Sequence, residues 1–372
     1  MINNALGILF ASDSEIHMNE LTIHRTSASL PYGGRYRMID FALSNLVNCG
    51  ISAIGIITRN NYNSLIDHIR MGRDWDLNRK NSGIAIFPPF VFNTLRDVYK
   101  GKVEALYGLK QYMVSHKKAE YVVIANTNII CNIDIEEIYE EHIRRGADIT
   151  MLTKRTTEIN PRKSIITAAP DGRVTDMCFA VINSKEEQLV NMHVYIVKKE
   201  LLINLVENAY ARGLLDFEKD VLLKQLEDLK IFSHEITSYA AAIDDIPSYY
   251  KHSMALLNED IRNDLFYGKG TVFTKVKDSV PTRYLENAKV SNSLIADGCV
   301  IDGTVENSIL FRGVHVEKGA TVQNSVVMER GIISEKASIR YTITDKNVIV
   351  QPERHLSGYS SYPIVIVKDK IV

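Results

Sequence analysis

The chain has 372 residues, 45% of them apolar, too long for one compact core and rich enough in apolar side chains for two. Its 44 basic and 45 acidic residues leave a net charge of -1. No broad electropositive face for nucleic acid or an anionic membrane is expected, so any functional basic cluster must be local. No apolar run approaches the ~18 residues of a membrane span, and the start, MINNALGILF, lacks the basic flank and cleavage site of a secretory signal. Cys49, Cys131, Cys178 and Cys299 are scattered without a C-x-x-C pair. Reduced, buried thiols and a cytoplasmic location are the expectation.

Leu6 to Phe10 (LGILF) reads as a buried first strand. The segment after it, Ala11 to His17 (ASDSEIH), stands where a nucleotide-binding sheet carries its glycine-rich phosphate loop, yet it has no glycine. Backbone N–H groups approach phosphate closely only where no Cβ intervenes. Asp13 and Glu15 add negative charge there instead. Met38 to Val47 places Ile39, Leu43, Leu46 and Val47 on one helical face, and Ile135, Ile138 and Ile143 form a second stripe after Asp134 as N-cap. Ser52 to Thr58, Tyr121 to Ala125 and Asp148 to Lys154 are further strands. Alternating strands and helices predict an open α/β sheet over residues 1–257, with ligands bound beyond the carboxyl ends of its strands. Glu218 and Lys219, after Phe217, read as helix-surface charges, and Tyr249-Tyr250 as packing at a domain interface.

A linker of mixed polarity is expected over 258–288. Beyond it, over 289–372, helical spacing disappears and aliphatic residues return every five or six positions: Val300, Val305, Leu310, Val316, Val322, Val327, Ile333 and Ile339. Asn292-Ser293-Leu294-Ile295 recurs as Asn307-Ser308-Ile309-Leu310 and as Asn324-Ser325-Val326-Val327, at intervals of 15 and 17 residues. Pairs such as Asp297-Gly298, Arg312-Gly313, Lys318-Gly319 and Arg330-Gly331 supply corners. This is the hexapeptide pattern of a parallel β-helix with stacked aliphatic side chains inside. A two-sheet antiparallel domain would alternate with period 2 instead.

With that order of domains, the run Pro31 to Gly50 (PYGGRYRMIDFALSNLVNCG) resembles the glucose-1-phosphate adenylyltransferases, or ADP-glucose pyrophosphorylases. Trp75 to Pro89, Tyr99 to Gly101, Asp171 to Thr175 and Asp216 to Val221 extend the likeness across the first domain. The resemblance implies an open, mostly parallel nucleotidyltransferase (GT-A or Rossmann-like) sheet followed by a left-handed parallel β-helix. It also implies a reaction that joins ATP and glucose 1-phosphate into ADP-glucose and pyrophosphate. Such chemistry needs glycines at the phosphates, cations around them and carboxylates for magnesium.

Aligned on that run, the family's G-G-x-G-x-R loop falls on Ser12, Asp13, Ser14, Glu15, Ile16 and His17, so three glycines and an arginine are replaced. One acid placed about 5 Å from a phosphate charge costs roughly 3 kcal/mol at an effective dielectric of about 20. The family's lysine before P-A-V falls on Ser27, the metal aspartate of S-G-D-H on Thr127, and that of W-K-D-V-G on Ala242. On the sugar-phosphate side, the lysine of E-K-P falls on Ala180 and the glycine of S-M-G on His193. No strongly bound cofactor is expected, and magnesium only in an active partner. Asp244 or Asp134 could act as substitute carboxylates, but neither restores the missing cations or glycines.

Loss of chemistry with retained scaffold implies, through the resemblance, a regulatory-type subunit assembled with an intact catalytic homologue, as a heterotetramer. Positions by which family enzymes bind glycolytic phosphates fall on His24, Arg25 and Arg37, and the family's C-terminal arginine on Arg354; solvated surface charge is the alternative. An active nucleotidyltransferase on altered residues and a scaffold that only binds sugar nucleotide are the competing functions.

Overall fold

Ala5–Phe10 (β1) is buried along its whole length, as its apolar run requires. The computed structural model describes residues 1–11, 18–59, 61–79, 82–88, 99–158, 163–179 and 186–372. Eight strands join β1 in one sheet: Ala53–Ile57 (β2), Gly83–Phe87 (β3), Tyr121–Asn126 (β4), Ile149–Thr156 (β5), Ile165–Ala168 (β6), Val174–Cys178 (β7), Gln188–Lys198 (β8) and Ile231–Glu235 (β9). The run β3-β2-β1-β4 is parallel throughout. Beyond it β8 is antiparallel to β4, β5 and β6, while β9 runs parallel to β5. The expected open α/β sheet is therefore parallel where the nucleotide loops would sit and mixed past β4. Its strand order reverses between β1 and β4, the crevice where such sheets bind ligands.

The helix Met38–Asn48 is buried almost all round because it serves two cores. Ile39, Leu43 and Leu46 pack against the sheet, and Met38 and Phe41 join a cluster shared with the second domain. In the helix Ile135–Arg145, Asp134 caps as predicted, accepting from the backbone of Glu136 and Glu137. Ile135 and Ile138 are buried there, but Ile143 is 46% exposed, one turn beyond the reach of the sheet. Among the described residues no helix is long and apolar enough to cross a membrane.

The second domain is a left-handed parallel β-helix of three five-stranded sheets, each coil giving one strand to each sheet. Its Asn-Ser repeat has a specific cause. Asn292, Asn307 and Asn324 take φ of 40°, 46° and 46° at the same corner of successive coils, a left-handed conformation that asparagine tolerates. The serine that follows stacks: the Ser308 N–H donates to Ser293 Oγ, Ser325 N–H to Ser308 Oγ, and Thr342 N–H to Ser325 Oγ, at 3.1–3.2 Å. Val305, Val316, Val322, Val327, Ile333 and Ile339 point inward as expected. Val300 does not; it pairs with outward His315, and Ile301 is the inward residue in register with Val316.

The segment 258–288 is not a plain linker. It opens with the helix Glu259–Tyr267, and Arg283–Tyr284 already pairs with Val300–Ile301 as the first β-helix strand. The domains share a core in which Ile309, Phe311, Val326, Met328 and Ile343 of the β-helix meet Met18, Leu30, Tyr249 and Tyr250. The two tyrosines do pack at this interface: Tyr249 donates to the Pro31 carbonyl at 2.7 Å and Tyr250 to the Asn324 carbonyl at 2.6 Å.

Candidate functional site

At the crevice between β1 and β4 the described site positions converge. Thr127 follows β4 directly, and both its N–H and its hydroxyl donate to the Phe10 carbonyl at the end of β1, at 3.1 and 3.0 Å. Ser27 lies beside the same end, its hydroxyl 3.4 Å from the Ala11 carbonyl. Ala242 pairs with Ile129 across a short antiparallel ladder, and the Ile243 N–H donates to the Asn128 carbonyl at 2.9 Å. Ser12, Asp13, Glu15, His17 and Ala180 lie outside the described residues.

The donors at the crevice can be tested against magnesium, which favours carboxylates together with substrate phosphates. The Thr127 hydroxyl already bonds a carbonyl, and Ala242 offers a methyl group. Asp244, two residues on, accepts from the Asn128 amide at 2.7 Å and has Lys163 Nζ at 3.9 Å. Asn128 Oδ1 is buried without a partner, but it is one neutral acceptor. Asp134 is committed to its helix cap. A divalent cation would thus meet an ammonium group and one carboxylate, and these residues do not fit it.

β8 borders the crevice, since Val194 is in register with Ala125 of β4. Its pairing with β5 slips between Asn191 and Tyr195, and within that bulge His193 holds φ at 51°. Left-handed backbone favours glycine, so the imidazole sits on a strained main chain. Glu218 faces it from a π-helical turn, Phe217–Leu222, capped by Asp216. The expectation that Glu218 is a surface charge is wrong: it is 5% exposed. Its Oε1 accepts from Lys102 Nζ at 2.7 Å and Tyr195 Oη at 2.8 Å, with His193 Nδ1 at 3.1 Å. Burial alone would raise the Glu218 carboxyl, but Lys102 and His193 outweigh it and hold the group well below the usual carboxylate range. The apolar residues on either side, Phe217 and Val221, gave no sequence signal that this acid turns inward.

A second site lies where the domains meet. The hairpin of Pro31–Tyr32 and Tyr36–Arg37 turns through Gly33 and Gly34 at φ of 59° and 83° and presses against the β-helix. Between them opens a cleft of about 490 Å³. Arg35 and Arg37 line it from the hairpin, Lys275 and Lys277 from the interdomain segment, and Arg312, Arg330, Lys346 and Lys368 from one corner of successive β-helix coils; Glu329 is the carboxylate among them. Burial pushes the Lys346 ammonium down to about 8, against the pull of Glu329. Lys346 reaches Glu329 at 2.7 Å, and Arg37 donates to the carbonyl and hydroxyl of Ser64 at 2.6 and 2.9 Å.

The other effector candidates fall elsewhere. Arg25 is 3% exposed and bonded to Asp345. His24 is exposed and outside the cleft lining, and Arg354 sits on an exposed corner between the other two β-helix sheets. The lysines and arginines that complete the cleft were missed by sequence reasoning. Arg312, Arg330 and Lys346 recur at the coil period, so laying the charges on the repeat would have found them.

A sheet with its ligand crevice between β1 and β4, joined to a hexapeptide β-helix, is the architecture of a sugar-phosphate nucleotidyltransferase. Residues 9–256 match the family model described as Nucleotidyl transferase, and residues 279–359 the one described as GlmU-like, C-terminal hexapeptide. The chain is 32% identical over 367 residues to the glycogen biosynthesis protein GlgD of Bacillus subtilis (strain 168), covering 98% of this chain and 96% of that one. It is 34% identical over 326 residues to GlgD of Geobacillus stearothermophilus and 30% identical over 328 residues to the glucose-1-phosphate adenylyltransferase of the same organism, each covering 87% of this chain and 84% of the relative. The chain belongs to the glucose-1-phosphate adenylyltransferase family, and is similar to its GlgD members.

Proposed function

We propose that this chain is a regulatory subunit in glycogen biosynthesis, inert or nearly so as an adenylyltransferase on its own and acting on an intact glucose-1-phosphate adenylyltransferase in a hetero-oligomer, as a heterotetramer. The observation that carries the reading is the crevice itself: Thr127 bonds the Phe10 carbonyl and Ala242 stands opposite, where phosphoryl transfer needs carboxylate-held metal. The interdomain cleft supports the regulatory half. Its clustered cations suit a phosphorylated effector, and a ligand that touches hairpin and β-helix together can favour one domain arrangement over another.

The test is direct. Purified alone with ATP, glucose 1-phosphate and magnesium, the chain is expected to give no turnover above background. Mixed with the intact homologue from the same cell, it should co-elute on size exclusion and change that enzyme's rate or effector response. Turnover by the lone chain comparable to an intact enzyme would favour the rival, an active transferase using Asp244; failure to co-elute would remove the subunit reading.

A further inference from the structure

The Glu218 cluster has the construction of a filled binding site. Three groups from separate elements, Lys102 at the start of the helix Lys102–Gly108 and Tyr195 and His193 on β8, meet at a single carboxylate oxygen. Their directions are set independently of Glu218. Asn191 Nδ2 donates to Tyr195 Oη at 2.7 Å and lies 3.1 Å from Ser164 Oγ, so the tyrosine proton is turned toward the carboxylate. The His193 N–H is held by Asn191 Oδ1 at 2.9 Å, which fixes the strained turn that carries the imidazole. A carboxylate only accepts, so the Nδ1 facing it carries its proton.

A helix-surface glutamate needs none of this arrangement, and strain kept at a bulge beside a ligand crevice is a mark of a site. The arm of Glu218 beyond Cβ is close in size to a phosphate group. A cationic and hydroxyl-donating wall shaped around it would accept a tetrahedral oxyanion by the same charge-assisted hydrogen bonds. We propose that Lys102, Tyr195 and His193 form an oxyanion pocket for phosphate esters that this chain keeps closed with its own Glu218 carboxylate. The proposal does not rest on the regulatory reading, since it concerns a different site and a property of the isolated chain.

Equilibrium dialysis of the full chain against radiolabelled inorganic phosphate at millimolar concentration reads the sites by number. Glu218→Ala is expected to bind one equivalent more than the unaltered chain, and adding Lys102→Met should remove that gain. Glu218→Gln, which keeps the bulk and an accepting oxygen, should gain none. An interdomain cleft that fails to bind would lower every count equally and leave the difference intact. A folded Glu218→Ala variant with the parental count overturns the proposal, as does an extra equivalent that survives Lys102→Met. Should Glu218→Ala melt below the working temperature in phosphate-free buffer, phosphate is expected to restore its thermal transition, and a variant equally unfolded with phosphate overturns the proposal too.

Discussion

Arg25 Nη2 donates to both carboxylate oxygens of Asp345, at 2.8 and 2.9 Å, with both side chains all but removed from solvent. This pair ties the α/β domain to the β-helix. It converts a residue of the expected effector set into part of the joint, and leaves anion binding at this interface to Arg37 and the β-helix corner.

Removing one partner strands the other in low dielectric. Arg25→Met is expected to cost about 3–5 kcal/mol, and Arg25→Met with Asp345→Asn distinctly less than the sum of the single changes. Urea denaturation of the three variants measures the coupling; additive losses would mean that the pair does not hold the domains.

His193 offers a clean measure of backbone strain. His193→Ala and His193→Gly both lose the imidazole beside Glu218, but only glycine adopts φ near 51° without penalty. The glycine variant should be the more stable of the two by about 1 kcal/mol, read from thermal or urea unfolding. Equal stability would place no strain at the bulge.

Restoring acids alone should not restore chemistry. Thr127→Asp with Ala242→Asp is expected to leave ADP-glucose formation at background, because the glycines and cations remain absent. The aspartate at 127 also deletes the hydroxyl that bonds the Phe10 carbonyl and brings a second charge toward Asp244. A stability loss of about 1–2 kcal/mol is expected. Turnover recovered by these two changes would overturn the account of the crevice.

The cleft should bind anions more weakly as pH rises. Lys346 titrates at about 8 rather than 10.5 because it is buried, so between those values the native state has released a proton that the unfolded chain retains. Stability from this group therefore rises with pH across that window, whereas its attraction for an anion is lost. Affinity for a phosphate ester, already dianionic above pH 7.5, is expected to drop severalfold by pH 9. Lys346→Met should bind more weakly at pH 7.5 and flatten the dependence; an unchanged profile would exclude Lys346 from the site.

Much of the fold was legible because it is written in local periodicity. The Asn-Ser repeat marks the β-helix because a left-handed corner and a stacked hydroxyl recur once per coil, and LGILF marks β1 because a strand buried on both faces is continuously apolar. The long strand β8 was missed, since Asn191 and His193 interrupt its apolar run. Those residues face a polar cluster assembled from distant segments, which no window of sequence contains.

The sequence by itself determined two domains, a sheet lacking the residues of its expected chemistry at Thr127 and Ala242, and a hexapeptide helix, because composition and spacing are properties of neighbours along the chain. Only the tertiary structure decided which charges act. Arg25 closes on Asp345, Glu218 turns inward to Lys102, and Arg330 and Lys346 line up beside Arg37. A charge on a sequence carries no burial and no partner. Both arise when segments hundreds of residues apart are packed together, and they decide whether a cation holds the fold or waits for a ligand.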